Sequence, residues 1–153
     1  MDSPVHTYFE DLAVGQTASM GKTITEADIL LFAGVSGDTN PAHMDEEYAA
    51  TTLFKGRIAH GMLSGAVISA LFGTRFPGPG SIYVSQSLTF KAPVRIGDTL
   101  RAHVELTALV PKKKFATFHT WGTVGGTVVV DGEATLMVPS RDADGAVKAP
   151  SRA

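Results

Sequence analysis

The sequence predicts an α+β domain in which a strongly curved antiparallel sheet wraps one long apolar helix. Helical patterns come early in the chain and alternating strand patterns come late. Between them, Ile58 to Phe72 (IAHGMLSGAVISALF) is apolar nearly all round, with only Ser and His as polar interruptions. A helix of that kind must be covered on most of its sides, and a curved sheet does so economically. The 153 residues suit one domain with a proper core. A hydrophobic share of 44% against 18% charged predicts a folded chain. One domain over residues 1–139 is expected, followed by a small, polar tail over 140–153 expected to be mobile.

Residues 1 to about 12 carry little pattern. Thr23 to Val35 reads as a first helix with Thr25 as N-cap and Asp28 in capping-box position. Its apolar side is expected from Ile29, Leu30, Phe32 and Val35. The chain then turns at Ser36-Gly37-Asp38 and restarts at Asn40-Pro41, a favoured N-cap followed by a favoured first helical residue. Ala42 to Ala50 is the short helix that follows, with His43 in its first turn. On the central helix, Gly61, Gly65 and Ser69 fall on one face, a stripe of small residues that lets another segment approach closely. Phe76-Pro-Gly-Pro-Gly80 ends the pattern. Strands are expected at Ser81–Phe90, Thr99–Val110, Phe115–Val124 and Thr127–Val138, the last two joined by a hairpin at Gly125-Gly126. Asp131-Gly132 is read as a bulge inside one long last strand.

Composition excludes several classes of function. The formal net charge is −2 and no basic face alternates with aromatic residues, so nucleic acid is not an expected partner. The chain has no cysteine, which removes disulfides, thiolate metal sites and thiol nucleophiles. His6, His103 and His119 are dispersed and show no metal-ligand spacing. There is no nucleophile elbow, P-loop or dinucleotide fingerprint. No signal peptide and no apolar run long enough for a bilayer are evident, so a cytoplasmic protein without a membrane partner is expected.

The chemistry concentrates in FAGVSGDTNPAHMDEEYA, Phe32 to Ala49. Asp38 stands five residues before His43, with Gly37, Asn40 and Pro41 stiffening the backbone around them. On spacing alone the pair reads two ways. Asp38 can make an Asx-type turn beside an ordinary first-turn histidine, or the two side chains can converge on one water as an acid–base pair. His60-Gly61-Met62 reads two ways as well. It is either a helix start with a glycine for close packing, or a place where the free Gly61 N–H polarises a carbonyl. Ser69 is a small packing residue or a hydrogen-bond donor to ligand. Lys112 to Lys114 is most simply a solvated hairpin turn, with phosphate contact a weaker alternative.

The segment Gly37-Asp38-x-Asn40-Pro41-x-His43, with Ala49, closely resembles the hydratase-2 motif of MaoC-like (R)-specific enoyl-CoA hydratases. His60-Gly61-Met62 resembles that family's next block. Gly80-Ser81-Ile82-Tyr83, Gln86-Ser87-Leu88-x-Phe90, Lys91-Ala92-Pro93-Val94 and Gly97-Asp98 resemble the stretches after it. The likeness covers about Leu12 to Pro139, and the length resembles the short bacterial hydratases that feed polyhydroxyalkanoate synthesis. Ala42 departs from the pattern, which usually has Leu, Ile or Val there. The resemblance implies a hot-dog fold, a homodimer with the acyl-CoA tunnel near the subunit interface, and reversible syn hydration of a trans-2-enoyl-CoA. It assigns the water to Asp38 and His43 and the thioester carbonyl to the Gly61 N–H. It places Asn40 in shaping the loop and Ser69 near the dyad; substrate contact is also expected at Asn40, Ser69, His60 and Phe72, with pocket depth set near Phe72 on the central helix. Neither a metal nor another cofactor is required by that reaction. Its rivals are a hot-dog acyl-thioesterase, a 3-hydroxyacyl-carrier-protein dehydratase, and a non-catalytic acyl-CoA-binding subunit.

Overall fold

In the computed structural model, which describes residues 6–141, one antiparallel sheet curves around a central helix. Its strands are β1 (Thr17–Thr23), β2 (Ile82–Gln86), β3 (Thr89–Phe90), β4 (Thr99–Val110), β5 (Phe115–Val124) and β6 (Thr127–Met137). They run in the order β1-β4-β5-β6-β2, with β3 also paired to β6. The helices are α1 (Glu26–Ser36), α2 (Pro41–Met44), α3 (Glu46–Thr51) and α4 (Gly61–Thr74). This is the hot-dog arrangement the sequence implies.

The sheet's inner face follows the period of two. Leu100, Ala102, Val104 and Leu106 of β4 and Ala116 and Phe118 of β5 are buried. They close on Ile68, Leu71 and Phe72 of α4, which are essentially inaccessible. Gly125 and Gly126 both take positive φ, as the two-residue β5–β6 hairpin turn requires. The Lys112–Lys114 segment is the β4–β5 turn, in which the Lys114 ammonium reaches Glu10 and lies over the Phe9 ring.

Several sequence expectations shift. Thr23 ends a strand instead of starting a helix: β1 pairs with β4 from Thr17 opposite Glu105 to Thr23 opposite Thr99. The first helix begins after it at Glu26, and its Thr25 cap and Asp28 box form as expected. Only Ile29 and Ala33 of that helix are buried, while Leu30 and Val35 remain exposed. The short helix after Pro41 is two helices. Asp45 ends α2 by donating its N–H to the Pro41 carbonyl, and its carboxylate caps α3 at the Tyr48 N–H. The central helix starts three residues later than expected, at Gly61, and runs to Thr74.

The strand expected over Ser81–Phe90 breaks at Ser87-Leu88 into β2 and β3. Gly132 allows the break, because a Cβ there would stand 1.9 Å from the Ser87 carbonyl oxygen. β6 is one long strand as expected, but its register slips between Val130 and Val128, so the bulge is near Val129 and not at Asp131-Gly132. Of the C-terminal tail, Ser140 and Arg141 are held: the Arg141 guanidinium makes paired bonds to Asp11, and Glu10 accepts from both residues. The rest of the tail lies outside the described residues. No described helix is long and apolar enough to cross a membrane.

Candidate active site

Local chemistry builds a stiff turn between α1 and α2. Gly37 closes α1 in the left-handed region at φ 76° and donates its N–H to the Ala33 carbonyl. The Ser36 hydroxyl donates to the Phe32 carbonyl and accepts the Asp38 N–H. The Asp38 carboxylate accepts the Asn40 N–H at 3.2 Å, and the Asn40 side chain accepts the Ala42 N–H at 3.0 Å. Pro41 occupies the first position of α2. Asp38 is exposed and His43 is buried.

Both histidines have one ring nitrogen committed to a backbone carbonyl. His43 Nδ1 donates to the Ile58 oxygen at 2.8 Å. His60 Nε2 donates to the Asp38 backbone oxygen at 2.8 Å. In the neutral rings this leaves His43 Nε2 and His60 Nδ1 as acceptors. His60 is 2% exposed, and its Nδ1 is buried without a partner. The two rings lie 4.0 Å apart, centre to centre, and Phe32 packs on the His60 ring at 4.9 Å. One carboxylate oxygen of Asp38 and one ring nitrogen of each histidine fall within 4.8 Å of one another. Such a cluster can hold a small polar species, whether a water or a cation.

Gly61 is the first residue of α4, so its N–H has no carbonyl one turn back. The Phe90 ring rests on it: a Cβ at Gly61 would come within 3.0 Å of two ring carbons. The next member of the small-residue stripe, Gly65, meets Leu88 in the same way at 2.9 Å. The segment that the stripe admits is therefore Leu88–Phe90, which is β3 and the residue before it.

Three hollows meet around this point. One of about 350 Å³ is lined by His43, His60, Gly61, Ser64, Phe90 and Lys91, among others. Asp38 lines a second, which shares His60, Gly61 and Phe90 with the first. The third is an apolar groove between α4 and β2 that includes Ser69, Tyr83 and Leu88 and shares Phe32 and Met62 with the second. Partial desolvation pushes the Tyr83 hydroxyl up to about 12 although the residue as a whole is 37% exposed; it donates to the Gln86 side chain, whose Nε2 bonds buried Thr120.

Of the residues singled out in the sequence, Asp38, His43, His60 and Gly61 come together, and Asn40 shapes the turn. Ser69 is exposed in the α4–β2 groove, which neither Asp38 nor His43 lines. Phe72 is 1% exposed and packs edge-on against Phe118 and Tyr83, so it bears on the groove only through Tyr83. Sequence reading missed Ser64, Phe90 and Arg57. Ser64 lies three residues after Gly61 on the same helix face, a signal that was present; Phe90 and Arg57 reach the site only through tertiary contacts.

The MaoC like domain model matches residues 12–131. An (R)-specific enoyl-CoA hydratase of Rhodospirillum rubrum is 66% identical over 140 residues, covering 92% of this chain and 97% of that protein. The unliganded R-hydratase PhaJ1 of Pseudomonas aeruginosa superposes with a TM-score of 0.83 at 49% identity, over 88% of this chain and 87% of its own. The (R)-hydratase of A. caviae involved in PHA biosynthesis gives 0.82 at 46% identity, over 85% of this chain and 99% of its own.

Proposed function

The chain belongs to the MaoC-like domain family, and from that premise we propose that it hydrates trans-2-enoyl-CoA reversibly to (R)-3-hydroxyacyl-CoA with a water held between Asp38 and His43. The observation that carries this reading is the meeting of that pair with the free N–H of Gly61. The Gly61 N–H binds the thioester oxygen and draws electron density from C3. The water oxygen adds to C3 while the dyad takes its proton. His43 Nε2 is the ring atom left to accept it, and the Asp38 carboxylate orients the water and stabilises the resulting charge. The negative charge on the thioester oxygen then collapses through C2, which takes the proton back from the dyad on the same face. Water is consumed whole, and the reverse course is the dehydration.

The acyl chain runs into the apolar groove that adjoins Asp38 through Phe32 and Met62. β2 bounds that groove at one edge of the sheet, and Tyr83 and Val84 on it are exposed. A homodimer that pairs this edge with its copy would close the groove into a tunnel. The reading extends to a cytoplasmic enzyme that supplies hydroxyacyl thioesters for polyester synthesis, acting as a single catalytic domain.

The test is loss of the enoyl thioester's ultraviolet absorbance when crotonyl-CoA meets the purified protein. Asp38→Asn and His43→Gln are each expected to cost about 10²–10⁴-fold in kcat, the usual worth of a positioned acid–base group. No absorbance loss with the wild-type protein sinks the hydratase reading, and near-normal turnover in either variant sinks the dyad. A thiol reagent separates the rival, since a thioesterase releases free CoA and a hydratase does not.

A further inference from the structure

We propose that Arg57 is the positioning residue that fixes His43 for proton transfer; the inference rests on the hydration reading above. His43 sits on α2, a helix of four residues that has almost no stability of its own. What holds it is the segment Arg57-Ile58, through three bonds. Arg57 Nε donates to the His43 backbone oxygen at 2.6 Å. The Ile58 N–H donates to the Ala42 oxygen at 3.2 Å. The Ile58 oxygen accepts His43 Nδ1–H at 2.8 Å, the bond that sets the ring's tautomer.

Arg57 is itself fixed at its other end. Its two terminal nitrogens form a paired bridge to the Glu26 carboxylate in the first turn of α1, both at 2.9 Å. Its own N–H donates to Glu46 of α3 at 3.1 Å. One residue thus ties α1, α2 and α3 together at the backbone of the base, and its side chain is largely buried. Glu26 does a second service. It neutralises the guanidinium, so that the clamp does not set a bare positive charge beside a histidine that must itself become cationic during turnover. A planar fork with three directed donors is what the geometry requires, and lysine cannot reproduce it.

The positioning role predicts a loss in kcat and little change in substrate binding, because Arg57 lines none of the three hollows around the site. With crotonyl-CoA, Arg57→Gln is expected to lower kcat about 10- to 100-fold, the range that misplacement of a reacting group by about 1 Å produces, with KM within about twofold of wild type. Arg57→Lys should recover part of the loss, and Arg57→Gln combined with Glu26→Gln should be no worse than Arg57→Gln alone, since the two act as one clamp. The proton on His43 Nδ1, observed by nitrogen-edited NMR, should exchange faster in Arg57→Gln than in wild type. Wild-type kcat in a folded Arg57→Gln, a loss confined to KM, or an unchanged Nδ1 signal overturns the proposal. If Arg57→Gln does not fold, Glu26→Gln decides. It keeps the Nε bond but frees the fork, and a kcat equal to wild type overturns the clamp. Wild-type turnover measured alongside separates the two readings: its absence refutes the hydration itself, while its presence with an undiminished variant refutes only Arg57.

Discussion

Replacing Gly132 with alanine tests the close approach that breaks the strand after α4. Gly132 has no need of a special φ; it is required because the chain at Ser87 passes almost on top of it. An alanine Cβ would lie 1.9 Å from the Ser87 oxygen and 2.8 Å from its carbonyl carbon. Both atoms are backbone, so no side-chain rotation relieves the contact. Reaching ordinary contact distance means opening the β2–β6 edge by about 1.5 Å. That displacement breaks the bond from the Ser87 N–H to the Glu133 oxygen and the one from the Glu133 N–H to the Ser87 hydroxyl. It also disturbs the bond from Gln86 to the Ser87 oxygen. At about 1 kcal/mol for each bond, the substitution should cost about 2–4 kcal/mol. For a chain of this length that is a fall in Tm of about 5–15 °C. Thermal melting followed by circular dichroism, with urea unfolding beside it, measures the change. Gly73→Ala, in open space near the end of α4, is the control and should be neutral or slightly stabilising. A Gly132→Ala protein that melts within 2 °C of wild type (an approximate error of measurement) would falsify the argument.

Other outcomes follow from the same contacts. Thr25→Ala removes the α1 cap that accepts the Asp28 N–H and should cost about 1 kcal/mol in urea unfolding. Leu71→Ala empties a fully buried position beneath the sheet and should cost about 2–5 kcal/mol, read the same way. Acid should release Ser140 and Arg141. The Ser140 hydroxyl and the Arg141 N–H hold the Glu10 carboxyl down to about 2, from an ordinary value near 4.5. A depressed carboxylate contributes stability that is present above the ordinary value and lost as pH falls toward 2. The protection of the Arg141 amide, taken against its intrinsic exchange rate at each pH, should therefore fall across that window, and Glu10→Gln should show the lowered protection already at neutral pH.

What the sequence made legible was local. Thr25 and Asp28 stand three residues apart and form their box as drawn, and Asn40-Pro41 caps α2 by the same short-range rule. The side-chain caps that shape the turn carrying Asp38 all fall between Phe32 and Ala42. β1 escaped notice because Ala18 and Met20 are its only apolar residues of any size; its partner β4 makes it a strand, and a pattern search does not see the partner. The division of the second helix was written in Asp45-Glu46-Glu47, an N-cap followed by an acidic first turn, but was read as one helix running on. Arg57 could not be found that way at all. Its side-chain partners lie 14 and 31 residues earlier, and neither spacing belongs to any local motif. The apolar side of α1 was overstated because Leu30 and Val35 look like core by type, while the helix touches the core only along Ile29 and Ala33.

The short turn between α1 and α2 has a consequence for how the site fails. Asp38 and His43 are five residues apart, yet His43 is held by Arg57-Ile58 and the Asp38 carbonyl by His60, so the gap between them depends on the 57–60 segment as well as on the loop. Gly61 belongs to a different element and meets them only through tertiary packing. On the proposed reading, loosening of the 57–60 segment as temperature rises blurs both gaps together, because that segment holds His43 and Asp38 and leads directly into Gly61. Inactivation should run ahead of unfolding, by the slackening of one short segment in an otherwise intact molecule.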